Sequence, residues 1–204
     1  MDILLVVTEH PEVLSATGRQ AYEQVRQRLE TIAGTAVTSE HYLEVESLDG
    51  FAAVVLSGSS APWAAHDEAM LERLGHAVRA FDGPILGICA GMQLQAMFAG
   101  GSVGRARREI DTGFAPIDVL EQTGLLAGMP RQITVYHRHT DEITNLPDSF
   151  RVVARSAQCD VEAIADSARG WWGTQFHPEE FSPEHSDGER VLRNFFELAG
   201  VTGT

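Results

Sequence analysis

Three short runs free of polar side chains constrain this chain more than any other feature: Ile3 to Val7 within the segment Asp2 to Thr8, Phe51 to Leu56, and Ile85 to Ile88. A strand that does not alternate apolar and polar residues is covered on both faces, the usual setting of a parallel sheet. Parallel neighbours need crossover connections, and the intervening sequence supplies them. Gln20 to Ala33 carries Tyr22, Val25, Leu29 and Ile32 at helical spacing. Ala64 to Phe81 places Leu71, Leu74, Val78 and Phe81 on one face before Asp82-Gly83-Pro84 ends the helix. Thr35 to Tyr42 adds a short β-prone stretch between the two. The first half therefore reads as open α/β.

From Gly113 the texture changes. Phe114 to Leu120, Gln132 to Tyr136, Phe150 to Ala154, Glu162 to Ala165 and Gly170 to Gln175 are short β-prone stretches separated by turns, so hairpins are expected. Gly188 to Ala199 closes the chain with a broad apolar helical stripe. The expected architecture is an open, mostly parallel sheet flanked by helices with an antiparallel extension, residues 1–204 forming one domain. With 204 residues, 44% of them hydrophobic, the chain is long enough for a substantial core. Lys and Arg number 15 against 29 Asp and Glu, a formal charge of -14 that repels a phosphate backbone, so no nucleic-acid partner is expected. The first apolar run lacks both the basic flank of a signal peptide and the length to cross a bilayer, which predicts a cytoplasmic protein without membrane contact. Cys89 and Cys159 offer no disulfide framework and no Cys-x-x-Cys pair.

Cys89 sits in Gly87-Ile88-Cys89-Ala90-Gly91, between a strand and the apolar helical segment Met92 to Phe98. This is the form of a nucleophile elbow, in which glycines flank a reactive side chain on a strained strand-to-helix turn. A helix N-terminus behind the thiol favours its thiolate, and the Ala90 N–H points toward an oxyanion formed on attack. A small buried cysteine in a glycine-lined turn is the bland reading. The chain also supplies a base, in Phe176-His177-Pro178-Glu179 after the strand Trp171 to Gln175. If extended geometry continues through both, His177 and Glu179 project to one side, and the carboxylate orients the imidazole.

Together, Gly87-Ile88-Cys89-Ala90-Gly91-Met92-Gln93 and Gln175-Phe176-His177-Pro178-Glu179 resemble the motifs of the class I glutamine amidotransferases, whose fold is flavodoxin-like. Val54 to Ser59 is similar to the family's strand and oxyanion loop, and Arg138-His139-Thr140-Asp141 to its Ser-His-Gly-Asp segment. Met92 and the His139-Thr140-Asp141 segment look most like the amidotransferase part of GMP synthetase. The resemblance implies Cys89 as nucleophile, His177 as general base and acid, and Glu179 as its orienting carboxylate. Gly58, Ser59 and Ala90 would line the oxyanion hole. Gln93, with Arg138, His139, Thr140 and Asp141, would contact bound glutamine. It also implies ammonia passed to a partner synthase, with no cofactor or metal. Where the family's loop reads Ser-Gly-Gly-Pro, this chain has Ser57-Gly58-Ser59-Ser60; if the second glycine needs a positive φ, either Ser59 carries a backbone penalty or the loop is re-shaped.

Rival functions compete with this one. A free-standing hydrolase of γ-glutamyl amines would use the same triad, and a non-catalytic regulatory protein would keep the fold alone. A metal hydrolase would use His137, His139 and His177, although ligands two apart on a strand fit packing equally well. Trp63 beside the oxyanion loop is either a docking residue or local packing. Arg105, Arg107 and Arg108 form a solvated basic cluster, and Cys159 reads as structural.

Overall fold

A computed structural model describes residues 2–201; Met1 and residues 202–204, the extreme ends of the expected domain, lie outside the described residues. In chain order the elements are β1 (Ile3–Val7), α1 (Ala16–Ala33), β2 (Val37–His41), β3 (Ala53–Leu56), α2 (Glu68–Ala80), β4 (Ile85–Ile88) and α3 (Ala90–Phe98). They continue with β5 (Ser102–Arg105), β6 (Gly113–Val119), β7 (Gln132–His137), β8 (Asp141–Asn145), β9 (Arg151–Arg155), β10 (Ala163–Asp166), β11 (Trp171–Thr174) and α4 (Asp187–Leu198).

Nine strands form one sheet in the order β2-β1-β3-β4-β11-β10-β9-β6-β7. The first five are mutually parallel and the rest pair antiparallel, which matches the expected open sheet with its antiparallel extension. The three apolar runs become β1, β3 and β4 at its centre, every residue buried. Alternation within β1 divides the core. Ile3 and Leu5 pack with Leu29 and Ile32 of α1 and with Phe195 and Phe196 of α4. Leu4 and Val6 pack with Leu74 and Val78 of α2 and Met92 of α3. Burial of each such side chain is worth about 1.5–3 kcal/mol, so covering both faces fixes the layer order.

Several boundaries differ from expectation for local reasons. Helix α1 starts at Ala16, ahead of Gln20, because the Ser15 side chain accepts from the Gly18 N–H and caps it. Helix α2 starts at Glu68, not Ala64: Asp67 accepts from the N–H groups of Ala69 and Met70, and Trp63–Ala65 forms a separate 3-10 turn. Strands β5 and β8, unanticipated, pair antiparallel as a small second sheet. Of the basic cluster, Arg105 ends β5, Arg107 approaches Glu142 and Arg108 pairs with Asp160, so these cations are engaged locally. Cys159 is buried, its thiol pushed up by burial, and donates to the Val161 carbonyl. No helix of the described residues is long and apolar enough to cross a membrane.

The β4–α3 junction depends on close backbone approach. A Cβ on Gly87 would lie 2.5 Å from the main chain of Gly91 and Met92, and one on Gly91 would collide with the Leu56 carbonyl. Gly91→Ala is therefore expected to cost about 3 kcal/mol, because backbone on both sides cannot yield. Chemical denaturation would measure it; a loss below about 1 kcal/mol would mean that the junction relaxes freely.

Candidate active site

Cys89 stands at the C-terminal end of β4, where open α/β sheets gather ligands. It caps α3 at φ 51° and ψ -105°, and is the one non-glycine residue at positive φ among the described residues. Its N–H donates to the Thr174 carbonyl at 2.6 Å, and its carbonyl accepts from the Gln93 N–H at 3.1 Å. These bonds hold a conformation that costs about 1–3 kcal/mol. As the first helical residue, Ala90 has no intrahelical acceptor for its N–H.

His177 is stapled to β7 by its N–H, which donates to the Tyr136 carbonyl at 2.8 Å. Its Nδ1 lies 2.8 Å from Glu179 Oε1, and both residues are buried. The extended geometry expected through them does not persist. Pro178 opens a 3-10 turn, Pro178–Glu180, and this turn carries the carboxylate back to the ring. Arg28 of α1 fixes the turn by donating to the Glu179 and Phe181 carbonyls while lying over the Phe181 ring.

The other imidazole nitrogen, Nε2, is 3.2 Å from the Arg138 carbonyl oxygen, which is also 3.9 Å from Cys89 Sγ. Carboxylate and carbonyl oxygens here only accept, so both ring nitrogens carry protons and the ring is an imidazolium. Its electrostatics agree. Burial alone would lower the His177 pKa, but the Glu179 charge, followed by that of Cys89, holds it well above 6.5. Gln175 Nε2 donates to the sulfur at 3.5 Å. Gly58 completes the packing, since a Cβ there would stand 3.0 Å from His177 Cε1 and 3.6 Å from Cys89 Cβ.

The loop Ser57 to Ala61, the expected oxyanion loop, is organised by a residue that motif reasoning missed. Glu9, buried just beyond β1, accepts from Ser59 Oγ (2.8 Å), Ser60 N (2.8 Å), Ser60 Oγ (2.7 Å) and Ala61 N (3.1 Å). Burial raises its pKa, yet the Ser60, Ser59 and His10 donors together hold it below the usual carboxylate value. Its signal in the sequence is an acid at the end of a buried parallel strand. The Gly58 carbonyl accepts from Tyr22 Oη at 2.9 Å and Ser57 Oγ at 2.9 Å. The C=O and N–H of a trans peptide point oppositely, so the Ser59 N–H faces away from these donors. Ser59 is not at positive φ, so of the two expected outcomes, a backbone penalty or a re-shaped loop, the penalty is absent.

The remaining expected contacts divide. Gln93 is buried and fully engaged: Nε2 donates to the Asp141 carbonyl (2.8 Å) and Gln175 Oε1 (3.1 Å), and Oε1 accepts from Trp63 Nε1 (2.9 Å). Trp63 is thus half-buried and tied locally, rather than exposed. The backbone of Arg138 faces the thiol, but the Arg138 side chain is exposed toward Glu180, and Thr140 is exposed. His139 Nδ1 binds the Asp141 carbonyl at 3.1 Å. His137 and His139 gather with Glu162 rather than with His177. Burial lowers both histidine pKa values, that of His139 to about 4, and raises that of Glu162 to about 7.

The family model for glutamine amidotransferase class-I matches residues 17–199. The chain belongs to this family. It is 44% identical over 120 residues to the glutamine-hydrolyzing GMP synthase subunit of Pyrococcus abyssi, a stretch covering 59% of this chain and 62% of that protein. It is 38% identical over 157 residues to the corresponding GMP synthase subunit of Thermoplasma acidophilum, covering 75% and 74%. A crystal structure of a GMP synthase subunit from T. acidophilum superposes with a TM-score of 0.81 at 31% identity, covering 98% of this chain and 94% of that chain.

Proposed function

We propose that the chain is a glutaminase subunit that hydrolyses glutamine to glutamate and ammonia and passes the ammonia to a separate synthase subunit. The observation that carries this reading is the Cys89–His177–Glu179 arrangement, with the carboxylate 2.8 Å from His177 Nδ1 and the cysteine on a strained elbow. The Cys89 thiolate, whose proton is held by His177, attacks the γ-carboxamide carbon, and the N–H groups of Ser59 and Ala90 stabilise the oxyanion. The His177 imidazolium gives its proton to the departing ammonia, leaving a γ-glutamyl thioester. His177, now neutral, takes a proton from water as that water attacks the thioester, and glutamate leaves. The Arg138 carbonyl yields its place against His177 Nε2 when substrate binds. The similarity to GMP synthase subunits supports a GMP-forming synthase as the ammonia acceptor.

Release of ammonia and glutamate from glutamine, measured with and without such a synthase partner, tests the reading. Turnover of glutamine that is stimulated by the synthase is expected. Turnover of γ-glutamyl amines in place of glutamine would overturn it in favour of an independent hydrolase. Glu9→Ala is expected to lower kcat about ten- to hundred-fold with little change in KM, because the loop donors serve the transition state and not the ground state. An unchanged kcat would show that the loop does not need its carboxylate anchor.

A further inference from the structure

We propose that His137, His139 and Glu162 form a binding site for a divalent transition metal of the zinc type, beside the catalytic residues and distinct from them. One ligand atom from each lies within 4.8 Å of the others. His137 and Glu162 are 2% and 0% exposed, so the cluster lies in the interior. Four of its polar atoms find no hydrogen-bond partner: His137 Nε2, His139 Nε2 and both oxygens of Glu162. An interior carboxylate without a cation or donors is costly by several kcal/mol. Its one ionic partner among the described residues is His137, with Nδ1 3.5 Å from Oε1.

The donor set and its orientation fit a metal better than they fit packing. Two imidazoles and a carboxylate, with a fourth position open, suit zinc. At bond lengths of about 2.1 Å, tetrahedral ligands stand roughly 3.4 Å apart, close to the 3.5 Å between His137 Nδ1 and Glu162 Oε1, which makes Nδ1 the ligand atom of His137. The remaining donors, within 4.8 Å of one another, need to close by up to about 1.4 Å. The Asp141 carbonyl only accepts, so His139 carries its proton on Nδ1 and presents the Nε2 lone pair to the cluster. A ring nitrogen held by a main-chain carbonyl is the usual outer support of a metal-binding histidine. His137 ends β7 and Glu162 directly precedes β10, so two of the three ligands are carried by the main sheet.

The test uses the Cys89→Ala chain, so that the thiol cannot compete for metal, and it reads binding independently of glutamine turnover. Equilibrium dialysis with Zn²⁺ is expected to give one ion per chain, and Co²⁺ to give the visible absorption of a tetrahedral site. Tm should rise with Zn²⁺ concentration. Adding Glu162→Gln or His137→Asn should weaken binding at least tenfold and remove the Co²⁺ bands. Glu162→Gln is nearly isosteric, so it decides the matter if the histidine variant fails to fold. Absence of saturable binding, or equal binding in both variants, overturns the site whether or not the chain hydrolyses glutamine.

Discussion

Replacing Cys89 with alanine is expected to lower glutamine hydrolysis by about 10⁴-fold or more while leaving glutamine binding largely intact. Loss of a nucleophile removes the covalent route altogether, and in comparable triads it costs about as much as removing the whole triad. A residual rate within tenfold of the parent would overturn the assignment. The same position allows a second, thermodynamic readout. At φ 51° and ψ -105° a side chain is strained, whereas glycine is not. Cys89→Gly should be equally inactive yet more stable than Cys89→Ala by about 1 kcal/mol, after the greater flexibility of glycine in the unfolded chain offsets part of the relief. Comparing the two variants cancels the lost packing of the thiol. Equal stability would show that the elbow stores no strain.

The parts of this fold that were legible in the sequence are those where one local cause dominates. Ile3 to Val7, Phe51 to Leu56 and Ile85 to Ile88 had only one environment open to them, and each lies in the parallel half of the sheet. The glycines around Cys89 announced a close approach, and the backbone of Leu56 is what they approach. Long-range pairing was not legible. Strand β8 has no sustained alternation of its own and exists because β5 pairs with it. The route by which Glu179 reaches His177 was misjudged because Pro178, at the start of a 3-10 turn, overrides the strand before it. Glu9 and Arg28 were missed for a related reason. Each acts on a segment far along the chain, Glu9 on residues 59–61 and Arg28 on residues 179–181, and neither belongs to a recognisable spacing.

Substitution of His177 by asparagine is expected to lower turnover by about 10³-fold or more, and Glu179→Gln by roughly tenfold less, since the carboxylate orients the ring but does not carry the transferred proton. Glu179→Gln also predicts a weaker response to pH than that of the parent chain. In the parent chain His177 has a pKa well above 6.5: burial lowers it, but the charges of Glu179 and Cys89 and their hydrogen bonds together outweigh burial. A raised value means that this group stabilises the fold fully below 6.5, and that the contribution is lost as pH rises through the folded value. Removing the Glu179 charge leaves only Cys89 to oppose burial and lowers the His177 pKa, so in Glu179→Gln the acid-side stabilisation shrinks and is lost at a lower pH than in the parent. NMR titration of the His177 ring reads the shift directly, and denaturant unfolding from about pH 5 to 8 reads its sign. An unchanged midpoint in Glu179→Gln would mean that another charge holds the imidazolium. His177→Asn carries a further cost, because it leaves the buried Glu179 carboxylate without its cationic partner. Its activity must therefore be compared at a pH where the folded fraction has been measured. The split between the two variants then separates the proton carrier from the residue that positions it.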